Sequence, residues 1–310
     1  MNILVTGGAG FIGSHAVDAL VAAGHQVTVL DDLSSGSLEF LEQARDQCTF
    51  LEGNAADPAT LDKAMHGMDS VWHFAANPEV RTGATDPGAH YDLNVAMTWQ
   101  VLEAMRRNGV KNLVFTSTST VYGNAHVMPT PEDYGPLLPI SVYGGAKLAC
   151  EALIASFAGT FDMDALLFRF ANVVGPRSNH GVTYDFVHKL RANPNELTIL
   201  GDGTQNKSYV HVADTVAAML HAFTHAPPGV HPYNVGSADG ITVTELAGIV
   251  SEVMGLSPTF TYTGGNGGAG WKGDVKFMGL SIAKLGELGW VPSMSSAEAI
   301  RDTATWLHSS

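Results

Sequence analysis

Through the first 175 positions of this 310-residue chain, short apolar runs alternate with segments of helical periodicity. The apolar runs predict strands at Asn2–Thr6, Gln26–Leu30, Cys48–Glu52, Ser70–Phe74, Asn112–Thr116 and Ala165–Phe170. Several are almost unbroken by polar residues, as expected of strands covered on both faces in a parallel sheet. In Tyr91–Asn108, Val95, Trp99 and Leu102 form one stripe, while Met97, Val101 and Ala104 form another. Two stripes predict a helix buried on two sides, by the sheet and by a second subunit. Strand–helix alternation at this spacing places the chain in the α/β class, as a Rossmann-type doubly wound parallel sheet.

The rhythm changes after Asn172: loops lengthen, proline and glycine recur, and strands become short. Ser208–His225 reads as one more strand and helix returning to the first domain. The expected organisation is therefore a first domain over 1–171 joined by 208–235, and a smaller C-terminal lobe from 172–207 and 236–310. Gly264–Gly270 reads as a flexible loop just before Trp271.

Composition narrows the function classes. With 45% apolar and 15% charged residues the chain has the profile of a folded globular protein. A formal charge of −14 argues against nucleic acid or anionic membrane as partner, since both need clustered Lys and Arg. Cys48 and Cys150 have neither metal nor disulfide-framework spacing and read as buried, reduced thiols. The 13 histidines are scattered, with no HExxH, so no metal site is expected, and His211 reads as structural. No apolar run approaches the ~20 residues of a membrane-spanning helix. Met1 leads straight into a strand without a basic leader, so the expected location is the cytoplasm.

Gly7, Gly10 and Gly13 lie between the first strand and the first helix as GxxGxxG, in the run Gly7-Gly8-Ala9-Gly10-Phe11-Ile12-Gly13. Glycines there permit a tight turn and let the backbone approach a pyrophosphate, to which a helix N-terminus offers N–H groups and the positive end of its dipole. Phe11 and Ile12 contribute those amides. The second strand ends at Asp31, 18 residues past Gly13. A carboxylate there accepts ribose hydroxyls and repels a 2′-phosphate, which favours NAD over NADP. Asp32 is its alternative or a turn residue.

Tyr143 and Lys147 stand in YxxxK spacing ahead of a helical stretch over Leu148–Phe157. On a helix, i and i+4 share a face, which brings the ammonium near the phenol. A tyrosine titrates near ~10, and a neighbouring lysine and a positive nicotinamide ring are expected to lower that into the range of a base. The run Thr116-Ser117-Thr118-Ser119-Thr120 closes a strand with hydroxyls able to share a substrate proton.

The segments GGAGFIG, HFAANPEV, STSTVYG, YGGAK and RFANVVGPR, in this order, resemble the extended short-chain dehydrogenase/reductase family over essentially the whole chain, and most of all its UDP-galactose 4-epimerase branch. The resemblance implies catalytic roles for Thr118, Tyr143 and Lys147. It implies NAD contacts from Asn54 and Ala55, from Phe74, Ala75 and Ala76, and from Tyr143 and Lys147 themselves. Asn172 would hold the diphosphate of a UDP-sugar, and Thr198 and Leu200 lie in the stretch that reads the uracil. Lys207, Trp271 and Asp274 stand in the segments where the branch carries two diphosphate arginines, so here Lys207 keeps one charge and Trp271 none. Lys272 or Arg177 is a candidate substitute, and Trp271 either stacks on uracil or belongs to the core. The position that gates the sugar's 2-substituent falls on Met278, leaving UDP-glucose/galactose and the N-acetyl pair both open. The helices at Tyr91–Asn108 and Leu148–Phe157 match those of a four-helix dimer, so a homodimer is expected.

Other reactions of the family fit less well. Its 4,6-dehydratases carry Asp-Glu directly after the catalytic Thr, where this chain has Ser119 and Thr120, and its UDP-glucuronate decarboxylases carry Glu at the position of Thr120. A UDP-glucuronate 4-epimerase would need a cation such as Arg81 or Arg177 for the carboxylate. A dehydrogenase that releases NADH, and a non-enzymatic NAD-binding regulator, are the remaining alternatives.

Overall fold

Ile3, Leu4 and Val5 are fully buried in strand β1 (Asn2–Thr6), so both faces of the strand are covered, as its unbroken apolar sequence demands. The structure, a computed structural model, describes residues 1–309. β1 lies inside a seven-stranded sheet with β2 (Gln26–Asp31), β3 (Cys48–Glu52), β4 (Ser70–His73), β5 (Asn112–Thr118), β6 (Asp164–Phe170) and the strand Val230–Val235. From one edge the order is Val230–Val235, β6, β5, β4, β1, β2, β3, and β1 to β5 run parallel. The chain moves outward from β1 to β3, then crosses back to β4 on the other side of β1. In doubly wound sheets this reversal opens a crevice at the carboxyl ends of the strands, where ligands bind.

One sheet face is covered by the helices Pro58–Met65, Met97–Asn108 and Val142–Phe161. Leu61, Met65, Val101, Leu102, Met105 and Ile154 join Leu4, Leu30 and Phe115 in a single buried cluster. The expected strands are all present, but β5 continues to Thr118, carrying the hydroxyl run on regular backbone. The helix expected from Leu148 begins at Val142, so Tyr143 and Lys147 both lie on it. Tyr91–Asn108 opens as a π-helical segment, Tyr91–Ala96, before becoming α-helical. Its Met97, Val101 and Ala104 stripe is buried as expected, whereas Trp99 of the other stripe is 44% exposed. Among the described residues no helix is long and apolar enough to cross a membrane.

The chain forms two units. The first holds Met1–Val121, Val142–Arg169 and Met219–Tyr233; the second holds Tyr122–Ser141, Phe170–Ala218 and the chain from Asn234 onward. These limits differ from a return over 208–235, because the strand Tyr209–His211 pairs with Asn172–Val174 inside the second unit, and only the second half of the helix Val212–His225 belongs to the first. The second unit has its own core, where Phe186, Leu190, Leu246, Val250, Ile300 and Leu307 pack the helices Val182–Ala192, Val243–Val253 and Ser296–Ser309 together. The segment 122–141 is tied into this unit by Asn234. The Asn234 side chain accepts from the Tyr122 hydroxyl at 2.7 Å and donates to the carbonyls of Thr130 and Ser281 at 2.9 and 3.0 Å.

Asn234 is fully buried, so its replacement by Ala leaves these three groups without that partner. Each such group costs about 1–3 kcal/mol. Urea unfolding of Asn234→Ala is expected to show a loss of about 3 kcal/mol, and a loss below about 1 kcal/mol would mean that water replaces the amide at no cost.

Candidate active site

The turn after β1 is closed by contacts that only glycine allows. Gly7 has φ +70°, and a Cβ on it would lie 2.5 Å from the Ala75 nitrogen. A Cβ on Gly13 would lie 2.1 Å from the Gly7 carbonyl oxygen. The helix Phe11–Ala22 thereby starts hard against the end of β1, with Gly10 as its N-cap, no side-chain cap and no acidic residue in its first turn. The amides of Phe11, Ile12 and Gly13 have no acceptor within the helix and carry the positive end of its dipole, which suits an anion.

Asp31 ends β2 beside this turn. Its Oδ2 accepts from the Ala9 amide and its Oδ1 from the Leu33 amide, each at 2.9 Å, leaving further lone pairs on both oxygens. Burial pushes its carboxyl above the usual range, against the pull of those two amides. Asp32 is exposed and receives Asn54 Nδ2 at 3.1 Å, while Ala55 is buried. Phe74, Ala75 and Ala76 follow β4 half-buried, and the amides of Phe74 and Ala75 bond the Thr6 carbonyl at 2.9 and 3.0 Å. The first unit therefore brings the glycine turn, Asp31 and Asp32, Asn54 and Ala55, and Phe74 to Ala76 to the carboxyl ends of β1, β2, β3 and β4, while Tyr143 and Lys147 lie on the helix Val142–Phe161. A cramped glycine turn, a free helix N-terminus and a carboxylate with unused lone pairs fit a dinucleotide without a 2′-phosphate.

Thr118 at the end of β5 and Tyr143 on the helix Val142–Phe161 meet, the Thr118 hydroxyl being a hydrogen-bond partner of the phenol. Thr118 Oγ1 also lies 3.1 Å from Thr120 Oγ1. Lys147 Nζ is buried, donates to the Thr116 carbonyl at 2.9 Å and lies 4.8 Å from the Phe115 ring centroid. Burial brings its pKa down to about 8, with Cys150 and Glu151 acting in the opposite direction. The phenol departs from the sequence expectation: burial, with Cys150 adding to it, pushes Tyr143 above its ordinary value, and only Thr118 pulls it down. The Lys147 ammonium is aimed at a backbone carbonyl, so a phenolate at neutral pH requires further positive charge.

Sequence reasoning passed over a second layer of residues here. The His90 ring lies edge-on to Tyr143 with centroids 5.6 Å apart; it is fully buried, its Nδ1 is 3.2 Å from Asn94 Nδ2, and its Nε2 meets no protein partner. Beneath Lys147, Glu151 pairs with Arg169 through two hydrogen bonds of 3.0 and 2.7 Å and also receives the Ser117 hydroxyl at 2.5 Å. Glu151 was within reach of sequence reading, since Tyr143, Lys147 and Glu151 recur every four residues. Arg169 was not, because nothing local links β6 to that helix.

In the second unit, Asn172 donates its side-chain amide to the Ser208 carbonyl at 3.2 Å. Thr198 and Leu200 are exposed around the end of the strand Glu196–Ile199. Lys207 lies in register with Met278, and its ammonium pairs with the buried Asp274 at 2.5 Å while standing 5.3 Å over the Trp271 ring. The charge expected to face a diphosphate is thus largely matched by Asp274 within the protein itself. Trp271 Nε1 is buried without a protein partner, an unused donor beside that pair. His211 is engaged at both nitrogens, with Asp302 at 3.1 Å and the Ala213 amide at 3.2 Å. His221 and His225 do stand one helical turn apart, stacked at 4.2 Å, but among the described residues no group of three or more His, Cys, Asp or Glu is placed to hold a metal.

Comparison with known proteins agrees with this geometry. Residues 3–236 match the model of the NAD dependent epimerase/dehydratase family. The UDP-glucose 4-epimerase of Mycolicibacterium smegmatis is 35% identical over 98% of this chain and 97% of its own length. A solved UDP-galactose 4-epimerase is 47% identical with a TM-score of 0.89, covering 99% of this chain and 98% of its own. The Thermotoga maritima UDP-glucose 4-epimerase, solved with UDP-glucose, is 35% identical with a TM-score of 0.90 over 100% and 99% of the two chains. On the matched family, the glycine turn and the Thr118–Tyr143–Lys147 constellation together, this chain belongs to the NAD dependent epimerase/dehydratase family.

Proposed function

We propose that this chain is an NAD-dependent 4-epimerase of a UDP-hexose, working through a transient 4-keto sugar. The observation that carries the reading is the meeting of Thr118, Tyr143 and Lys147 in the same unit as a turn fitted to a dinucleotide. Relatives that match over nearly the whole chain support it.

NAD, when bound, would supply an acceptor and, once reduced, a donor of hydride for the sugar C4. The amides at the start of Phe11–Ala22 would hold its pyrophosphate, and the remaining lone pairs of Asp31 would take ribose hydroxyls. Tyr143 Oη removes the proton of the sugar 4-hydroxyl while Thr118 Oγ1 shares that proton, and the flat ketone then turns before Tyr143 gives the proton back. Lys147, locked on the Thr116 carbonyl, adds positive charge to the region in which the phenolate forms. In the second unit, Asn172, Lys207, the Trp271 indole N–H, Asp274, Thr198 and Leu200 are proposed to hold the nucleotide. Because Asp274 already matches Lys207, the indole donor and Lys272 are proposed to supply what the missing arginine would.

Dehydration needs a carboxyl acid or base beside Thr118. Ser119 and Thr120 are hydroxyls, and Glu151 is occupied by Arg169 and Ser117, so elimination lacks its groups. A uronic acid substrate gains nothing from Arg81, which is bound to Glu79 at 3.0 Å. A homodimer in the cytoplasm belongs to the same reading. Tyr91, Leu93, Trp99 and Val142, 38–62% exposed, supply an apolar face for it, and a clean monomer on sizing at micromolar concentration would count against that part.

Incubation with NAD and, separately, UDP-galactose and UDP-GalNAc is expected to yield the gluco epimers without net NADH, and the ratio of the two rates reports what Met278 admits. Stoichiometric NADH would make the protein a dehydrogenase. Tyr143→Phe is expected to lower kcat by about 10²–10⁴ while NAD affinity measured by calorimetry stays within about twofold. Full turnover in that variant would remove Tyr143 from the chemistry.

A further inference from the structure

We propose that Glu151 and Arg169, acting through Ser117, are positioning residues of the reaction, their buried ion pair fixing where Thr118 and Lys147 stand. The inference rests on the epimerase reading for its kinetic consequence, though not for its structural one.

The geometry joins three elements at one carboxylate. Glu151 is 5% exposed and lies on the helix Val142–Phe161, two turns beyond Tyr143 and one beyond Lys147. Arg169, also 5% exposed, reaches it from β6 with a fork of two bonds, Nε to Oε1 at 3.0 Å and Nη2 to Oε2 at 2.7 Å. The Ser117 hydroxyl donates to the same Oε1 from β5 at 2.5 Å. Ser117 stands between Thr116, whose carbonyl takes the Lys147 ammonium, and Thr118, whose hydroxyl meets the Tyr143 phenol. A carboxylate that holds Ser117 to the helix therefore sets both flanking contacts at once. Apolar packing of Phe115 against the cluster that holds Cys150 and Ile154 also joins β5 to the helix, but it fixes neither hydroxyl nor ammonium.

A buried ion pair is weak grounds for stability, since a well-packed apolar pair commonly does as well. What an apolar pair cannot supply is an acceptor for Ser117 and a negative charge one turn from Lys147. The groups facing Lys147 are Tyr143, Cys150 and Glu151 on its own helix, the Thr116 carbonyl and Phe115 ring on β5, neutral His73 on β4, and His90. Within this set burial lowers the Lys147 pKa, and Cys150 and Glu151 raise it.

The test compares wild type with Ser117→Ala, Glu151→Gln and the double variant Glu151→Met/Arg169→Met, following kcat, KM, thermal unfolding and the NMR titration of the Lys147 side chain in labelled protein. Glu151→Gln is expected to lower the Lys147 midpoint by roughly one unit. Its kcat should fall roughly tenfold to a hundredfold with KM within about twofold. The double variant should unfold no earlier than wild type yet keep the low kcat, and Ser117→Ala should lose kcat in the same sense, by less. A Lys147 midpoint unmoved in Glu151→Gln, full turnover in the double variant, or unchanged kcat in Ser117→Ala would each overturn the proposal. If wild type converts no UDP-hexose, the epimerase reading fails while the Lys147 titration still decides this one.

Discussion

A buried ammonium must have an acceptor, and the one that Lys147 takes is the carbonyl of Thr116. With the Ser117–Glu151 and Thr118–Tyr143 contacts, that bond joins the helix Val142–Phe161 to the end of β5, and other features of the first unit conform to it. It requires β5 to run on as regular strand to Thr118, so that alternate residues present a carbonyl to Lys147 and a hydroxyl to Tyr143. It requires the helix to begin early enough that both residues of the YxxxK spacing lie on it. It also concentrates positive charge in a place that burial would otherwise empty of it, which accounts for the nearby Glu151 carboxylate.

The glycine turn obeys a different constraint, close approach rather than charge. The Gly7 carbonyl occupies the place that a side chain on Gly13 would need, so the helix Phe11–Ala22 can start only where it does. Its free amides and the Asp31 carboxylate then form a surface for a dinucleotide before any ligand is considered. In the second unit electrostatics work the other way, because Lys207 is matched internally by Asp274 and held over Trp271. The Lys207 charge is therefore not open to an anion without competition from Asp274.

These contrasts explain which features were legible in the residues. Central strands such as β1 and β4 announced themselves because strands covered on both faces are nearly apolar throughout, and the turn between β1 and the first helix because glycine alone fits it. Asp31, Tyr143 and Lys147 were legible from their offsets to such elements, whereas the choice of Thr118 within the hydroxyl run 116–120 came from the family resemblance. The helix start at Val142 was harder, since Gly144 and Gly145 weaken the local signal and tertiary packing overrides it. Periodicity marked two faces of Tyr91–Asn108 without saying what covers each: Met97, Val101 and Ala104 are covered within the chain, and Trp99 is 44% exposed on the side expected to meet a second subunit.

The α/β class, the glycine turn and the YxxxK spacing could be read from the residues in order, since all depend on the periodicity or spacing of neighbouring residues, and the family resemblance added Thr118. Only the tertiary structure decided the pairings that span distant segments. Glu151 with Arg169 and Ser117, Asn234 with Tyr122 and Thr130, and Lys207 with Asp274 belong to this group. It also set the direction of the Tyr143 pKa, where burial and Cys150 outweigh the hydrogen bond from Thr118. Hydrogen bonds and desolvation act through space, and nothing in the local order of residues records which distant groups will share a buried volume.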